Sequence, residues 1–314
     1  MRPRDRGRGQ KLDELLRSFS RDRYPLPGVR SGANRAAFVE QIVESIRRVE
    51  FIEVIAKRGI SELRVDPSSD LFDPIKAAIL QKRRGRTDEA FWLVFLSVHF
   101  GKHKRAGWRL VCDVYGSLGT EPPWNWTKTS SDPQAFRQWL AKSETTLKGA
   151  DGTERHFGNH RKYQSLDAVS PSGTGAAVES YVKWVRPPRT HQGLIEEAQK
   201  EVGNNPRQVF AYLYRSMTEV ISFGRMAKFD YLTMIGKLGL AQIEPGSPYL
   251  EGSTGPFAGA RLLFDGSRTA RISRQDLDSR SVELGDALTV GMQVVEDSLC
   301  NWQKSPSKFI PFRG

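Results

Sequence analysis

A histidine-rich segment of seven residues occurs twice in the chain, as HFGKHKR over residues 99–105 and as HFGNHRK over residues 156–162. The two segments contain every histidine of the protein except His191. Imidazole exchanges a proton near neutral pH, whereas arginine and lysine bind phosphate oxygens. These residue types predict that both segments face one anionic substrate. We assign proton transfer to His103 and His160, and the positioning of a water molecule to Asn159.

The spacing of the histidines raises an alternative. His99 and His103, like His156 and His160, stand four residues apart, which on a helix places both rings on one face. Four imidazoles can bind zinc, but the glycine inside each segment disfavours a helix and the flanking cations repel a metal ion. We therefore predict no metal site. A further interpretation, in which ordinary surface cations accompany buried histidines, stays open.

A third segment, residues 223–231, places charged side chains among aromatic rings. Asp230 is the carboxylate best placed to stabilise a positive charge or to orient a histidine, although a structural ion pair with Arg225 explains it equally well. Tyr163 is a candidate for stacking on a base. The predicted substrate- and phosphate-binding residues are His99, Lys102, Arg105, Arg161, Lys162, Tyr163, Arg225, Gln41 and Arg48.

Charge is the most informative feature of the composition. Lys and Arg number 48 against 36 Asp and Glu, which gives a formal net charge of +12 at pH 7. Such an excess is typical of proteins that bind nucleic acid or another polyanion. Two cysteines exclude a disulfide framework, and no apolar run approaches the roughly 20 residues of a membrane span. Because no apolar signal-peptide core follows the basic N-terminus, we expect a cytoplasmic protein.

The elements that must position these residues are predicted to be helices, so the fold class is mainly α. Apolar residues recur at helical spacing over residues 33–48, and the apolar stretch 87–98 predicts a buried helix that leads into the first histidine segment. Trp124 and Trp126 are expected to be exposed in a loop. Further helices are predicted at residues 75–84, 108–118, 134–147, 176–185, 194–202, 206–222, 229–240 and 281–299.

The domain organisation is predicted from composition and from the extent of the helical pattern. The Arg/Gly/Pro-rich start indicates a basic, partly disordered N-terminal arm over residues 1–24. Residues 25–300 would form a single helical catalytic domain, and residues 301–314 a C-terminal tail.

Several of these segments together resemble a known family. They are LPG at 26–28, SIRR at 45–48, DLFDP at 70–74, HFGKH at 99–103, FGNHRKY at 157–163, the segment 223–232, IEPGS at 243–247 and GSTGP at 252–256. Over residues 25–265 the pattern is similar to the alpha-glutamyl/putrescinyl thymine pyrophosphorylase family, most of all its third clade. The resemblance implies a helical domain related to the helix-hairpin-helix DNA glycosylases. The turn at residues 236–239 departs from the usual glycosylase hairpin, whose glycines lie closer together.

The resemblance also implies a reaction on hypermodified pyrimidines in DNA, in which an amine or amino acid displaces pyrophosphate from 5-(pyrophosphoryloxymethyl)uracil. The cationic histidine segments suit the departure of pyrophosphate. Two alternatives stay open: a DNA N-glycosylase that excises modified, for example phage-type, bases with the help of Asp230, and a non-catalytic module that binds modified DNA. The expected partners are DNA with modified pyrimidines and a small amine, without a cofactor. The base modification and the host process, phage defence or phage DNA maturation, do not follow from the sequence.

Overall fold

The computed structural model describes residues 2–311, and over that part of the chain it contains fourteen α-helices and no β-strand. The predicted mainly α fold class is confirmed. Within the same range, no helix is long and apolar enough to cross a membrane. The helices are α1 (Arg6–Asp22), α2 (Gly32–Lys57), α3 (Pro74–Arg83), α4 (Thr87–Phe100), α5 (Arg109–Tyr115), α6 (Trp126–Ser131), α7 (Pro133–Thr145), α8 (Thr174–Val185), α9 (His191–Val202), α10 (Pro206–Ser216), α11 (Arg225–Lys237), α12 (Gly255–Asp265), α13 (Arg274–Leu288) and α14 (Met292–Trp302).

The chain forms two compact units. One consists of residues 2–53 and 244–311, and the other of residues 54–243, so that the boundary falls inside α2. The domain boundaries predicted after residues 24 and 300 stay a prediction.

The first unit is built from α1, most of α2 and helices α12 to α14. Its N-terminal arm, expected to be partly disordered, forms helix α1 instead. Leu12, Leu16 and Phe19 recur at helical spacing and are buried in the core of this unit, which stabilises a helix despite its many arginines. Within the same core, α12 and α14 approach closely at Gly259, where a Cβ atom would lie 2.2 Å from the carbonyl oxygen of Leu299.

The second unit is organised around α4, which packs against α3, α9 and α11. Every residue of α4 from Ala90 to Phe100 is buried, as its all-round apolar sequence predicts. Asp73 caps the preceding helix by accepting hydrogen bonds from the N–H groups of Ile75 and Lys76. Helix α4 ends where Gly101 adopts a φ of 69°, a value that glycine reaches without steric cost. The first histidine segment therefore begins as helix and leaves it before His103.

A buried chain of hydrogen bonds joins four helices of the second unit. The Nδ1 atom of His191 lies 2.6 Å from an Asp88 carboxylate oxygen, and its Nε2 atom lies 2.7 Å from the Tyr181 hydroxyl. Because Nδ1–H donates to Asp88, Nε2 accepts from Tyr181, whose oxygen in turn accepts from Tyr231 at 2.8 Å. Burial lowers the pKa of the His191 ring, which keeps it neutral. The single histidine outside the repeated segments thus has a structural role.

Several elements differ from the sequence predictions. Trp124 and Trp126 are 2% and 7% exposed, so the predicted exposure of both indoles is wrong. The helix predicted at residues 281–299 is two helices, α13 and α14, because Thr289 takes a left-handed conformation between them. Helix α12 was not predicted, since its start is rich in glycine and proline. After α11 ends at Lys237, residues 238–254 contain no helix, and the likeness to helix-hairpin-helix glycosylases stays a prediction.

Candidate functional site

The two histidine segments pack against each other through their Phe-Gly pairs. The N–H of Gly158 donates to the carbonyl oxygen of Phe100 at 2.8 Å. The rings of Phe100 and Phe157 stack with centroids 5.5 Å apart. A Cβ atom on Gly158 would lie 2.8 Å from the carbonyl carbon of Gly101, so this contact between backbones requires glycine. The repeat seen in the sequence therefore corresponds to one local structure.

His99, predicted to bind phosphate, lies in the core and is 1% exposed. Its Nε2 atom is 3.0 Å from the Thr174 hydroxyl, which itself donates to the carbonyl oxygen of Ser165. Nε2–H therefore donates, and Nδ1 carries no proton. Burial, with a smaller contribution from Arg161, lowers the pKa of the ring from 6.5 to about 3. This neutral, stacked histidine holds α4 and α8 together rather than facing solvent.

His103 lies in a short hairpin that follows α4. Backbone hydrogen bonds of 2.9 and 3.0 Å pair His103 with Gly107. The N–H of Ala106 donates to Nδ1 of His103 at 3.1 Å, so in the neutral ring Nε2 carries the proton. The ring is half-buried, and its centroid lies 4.8 Å from that of the exposed His156. A ring whose tautomer is set by the backbone is well suited to donate a hydrogen bond from Nε2–H.

Arg161, also predicted to bind phosphate, is occupied by protein groups. Its Nε atom donates to the carbonyl oxygen of Val98 at 2.6 Å and an Nη atom donates to Asp230 at 2.9 Å. The Arg161 side chain is 8% exposed, whereas that of Asp230 is 46% exposed. Arg161 therefore connects the end of α4 to α11. The carboxylate of Asp230 is held in place and remains accessible.

A cleft of about 800 Å³ opens beside the paired segments. Both segments contribute to its walls, and the residues that line it include no carboxylate. Five cations and two imidazoles converge there, which makes the cleft suitable for an anion with several oxygens. The lining residues are His103, Lys104, Arg105, Leu110, Leu147, Lys148, Arg155, His156, Phe157, Lys162, Gln164, Ser165 and Leu166.

Arg155 is the most rigidly held cation of this cleft. It donates to both carboxylate oxygens of Asp151 at 2.7 and 2.8 Å and to Asp113 at 2.5 Å. The hydrogen bonds from Arg155 lower the pKa of Asp151, and those same carboxylates raise the pKa of Arg155. Both residues therefore stay charged across the ordinary pH range. Arg155 forms a fixed wall whose charge is balanced by these carboxylates, while the exposed Lys104 and Lys162 are free to approach a ligand.

Four further predicted residues of the second unit are absent from the lining of this cleft. Asn159 and His160 are exposed on a single 3-10 turn. Tyr163 is 89% exposed, and the Lys162 ammonium lies 5.0 Å from its ring centroid. Arg225 begins α11 and lies over the ring of Phe229. Their neighbour Lys162 does line the cleft, and the roles of the four stay predictions.

Gln41 and Arg48 belong to the first unit. Gln41 is 2% exposed and donates to the Ser45 hydroxyl at 3.5 Å. Ser45 donates in turn to Asp297 at 2.5 Å, and Arg48 forms an ion pair with the same carboxylate. These polar side chains have structural partners inside the first unit, and binding of substrate by Gln41 or Arg48 stays a prediction.

Sequence reasoning missed several residues of the cleft: Lys104, Lys148, Arg155, His156, Gln164 and Ser165. Two of these residues could have been inferred from their positions in the sequence. Arg155 directly precedes the second segment, and His156 occupies the same position in that segment as His99 in the first. What the sequence did not show is that the two equivalent histidines would differ completely in exposure.

Comparison with known proteins identifies the family of the chain. No curated protein and no solved structure matches the chain. A family model, described as alpha-glutamyl/putrescinyl thymine pyrophosphorylase clade 3, matches residues 33–314. The match confirms the resemblance predicted from the sequence and extends it toward the C-terminus. The chain is therefore an enzyme and belongs to the clade 3 alpha-glutamyl/putrescinyl thymine pyrophosphorylase family.

Proposed function

We propose that the protein modifies hypermodified thymine bases in DNA by replacing the pyrophosphate of 5-(pyrophosphoryloxymethyl)uracil with an amine. One observation carries this proposal: the cleft lined by both histidine segments combines five cations with two imidazoles and no carboxylate. The family's name, which refers to glutamyl and putrescinyl thymine and to pyrophosphorylase activity, supports the same reaction.

The reaction breaks the C–O bond between the methylene carbon of the base and pyrophosphate, whose oxygen keeps the electron pair. A C–N bond forms to the incoming amine, which loses one proton to water. Lysine and arginine side chains stabilise the charge that develops on the leaving group. Nε2–H of His103 is the donor best fixed by the backbone for a hydrogen bond to the departing oxygen. Lys104 and Lys162 would contact the outer phosphate oxygens.

Base excision is the second candidate, and the exposed carboxylate of Asp230 is the observation that favours it. A carboxylate near the sugar stabilises the positive charge that develops when a glycosidic bond breaks. Arg161 holds Asp230 at 2.9 Å and offsets its negative charge, which makes it a weaker stabiliser of a cation. We therefore prefer transfer to excision.

Mass spectrometry of the reaction products separates the two reactions. DNA that carries 5-hydroxymethyl, 5-pyrophosphoryloxymethyl or glucosylated pyrimidines would be incubated with the protein, with and without putrescine. Release of pyrophosphate together with a heavier base still linked to DNA would support transfer. A free base and an abasic site would instead establish a glycosylase, and binding of modified DNA without any product would favour a reader module.

Substitution of His103 tests its proposed role as the donor to the departing oxygen. We expect His103→Gln to lower the turnover rate by about 100-fold, because the loss of one fixed hydrogen-bond donor to a developing oxyanion costs roughly that much. Affinity for the modified DNA should change little. Lys142→Ala, on the exposed surface of α7, is the control for an unrelated change. Equal turnover in His103→Gln and the unchanged protein would remove His103 from the mechanism.

A further inference from the structure

A second cleft lies on the other side of the hairpin formed by residues 102–109. Its volume is about 670 Å³. Residues of the hairpin divide between the two clefts: Lys104 lines the first, Lys102 lines the second, and Arg105 lines both. The second cleft is lined by Arg64, Pro67, Ser68, Ser69, Asp70, Phe72, Asp73, Lys76, Lys102, Arg105, Ala106, Gly107, Trp108, Arg109, Cys112, Asp113, Leu118 and Gly119.

Two of the three carboxylates of the second cleft have close partners, whereas the Asp70 side chain is 98% exposed. Asp73 caps α3 and lies 3.6 Å from Lys76. Asp113 is buried and binds both Arg109 and Arg155. The third carboxylate, Asp70, lies 3.9 Å from Arg109. These pairs leave the cations of the hairpin as the positive charge available to a ligand.

Two hairpin cations supply that charge. Lys102 is exposed, forms no ion pair with any residue in the described part of the chain, and has its ammonium 6.0 Å from the ring centroid of Trp108. The Arg105 side chain is 75% exposed, and its only ion pair within residues 2–311 is a 3.4 Å contact with the exposed Glu154. Exposed pairs of this kind are worth little and are readily exchanged for a phosphate.

We propose that the second cleft binds the phosphodiester backbone of the DNA, while the first cleft receives the anionic substituent of the modified base. This inference rests on the proposed function. The difference in lining between the two clefts supports the division. The first cleft contains the imidazoles needed for chemistry, whereas the second contains cations, serine hydroxyls and an indole without any histidine. Contacts of this type position a nucleic acid without reading its sequence. Arg105, which lines both clefts, would contact both anions.

The hairpin provides its own matched set of variants, because Lys102, Lys104 and Arg105 are exposed cations within four residues of one another. Two binding measurements separate them: affinity for unmodified duplex DNA over a range of salt concentrations, and affinity for inorganic pyrophosphate by calorimetry. Lys142→Ala controls for the loss of one positive charge elsewhere. Circular dichroism would verify that each variant folds.

Each variant has a distinct expected result. Lys102→Ala should weaken binding to unmodified DNA by about fivefold at 0.15 M salt and reduce the salt slope by about 0.9, the value for one lost phosphate contact. Its affinity for pyrophosphate should stay the same. Lys104→Ala should weaken the binding of pyrophosphate and leave the binding of unmodified DNA unchanged. Arg105→Ala should lower both affinities. Lys142→Ala should change neither.

Two results would overturn the inference. If Lys102→Ala and Lys142→Ala bind unmodified DNA with the same affinity, the second cleft does not bind the DNA backbone. If Lys104→Ala weakens DNA binding as much as Lys102→Ala, the hairpin does not separate two kinds of anion. Both measurements use unmodified DNA and free pyrophosphate, so they do not depend on turnover. A failure of the transfer reaction would appear only in the product analysis.

Discussion

The two histidine segments share their His-Phe-Gly start and their fifth-position histidine, but their first and sixth residues are opposite in burial. In the first, the leading histidine His99 is buried and the sixth residue, Lys104, is exposed. In the second, the leading histidine His156 is exposed and the sixth residue, Arg161, is buried. The first segment continues from the buried helix α4, whereas the second follows an exposed turn after α7. The preceding element decides which side chains of the same motif face the core.

The difference makes the two copies complementary. The first contributes a hairpin of exposed cations, and the second contributes the buried Arg161 that ties the end of α4 to α11. The Phe-Gly pairs, which are the same in both copies, form the contact between them. One repeated motif thus supplies both the support and the reactive surface of the site.

The largest expected difference in stability is between variants at the sixth position of the two segments. Arg161→Ala should lower the free energy of unfolding by about 3 kcal/mol, because the Val98 carbonyl loses its donor and Asp230 loses its partner. Lys104→Ala, at the equivalent exposed position, should change it by less than about 0.5 kcal/mol. Urea denaturation of both variants measures the difference. Equal losses at the two positions would mean that the burial of Arg161 contributes nothing.

A smaller loss of stability is expected when the glycine contact between the segments is disturbed. Gly158→Ala should destabilise the protein by about 2 kcal/mol, because its methyl group would overlap the backbone of Gly101. Gly59→Ala is the control, since nothing lies within 4 Å of the Cβ position there. Thermal unfolding compares the two. A Gly158→Ala variant as stable as Gly59→Ala would show that the segments do not pack through their glycines.

The third predicted effect depends on pH and concerns the two leading histidines. The pKa of His99 falls from 6.5 to about 3 on folding, so between these values the unfolded chain binds a proton that the folded chain does not. Stability should therefore decrease as the pH falls below 6.5, by up to about 1.4 kcal/mol per pH unit from this one group. The buried His191, whose pKa is also lowered, contributes in the same direction.

Denaturation at a series of pH values between about 4.5 and 7.5 tests this slope. His99→Gln, which keeps a polar side chain near Thr174, should flatten the pH dependence. His156→Gln controls for the removal of an imidazole from the other segment. An unchanged slope in His99→Gln would show that the ring takes up a proton in the folded state.

Sequence by itself determined the helical class, the helices α3 and α4, and the family, because these depend on patterns along the chain. The apolar residues of α4 predict its burial, and Asp73 followed by Pro74 predicts the start of α3. The repeated histidines and cations predicted one site, whereas the contact between the Phe-Gly pairs became visible only in the structure.

Tertiary structure alone decided which of the motif's side chains are available for chemistry. His99 and Arg161 are buried, while Arg155 and His156 line the cleft. Exposure depends on which elements, distant in sequence, pack over a residue, and a seven-residue pattern carries no information about them. The same reason explains why α1 is a packed helix despite its basic composition. Its three apolar residues are stabilised by partners that come from the other end of the chain.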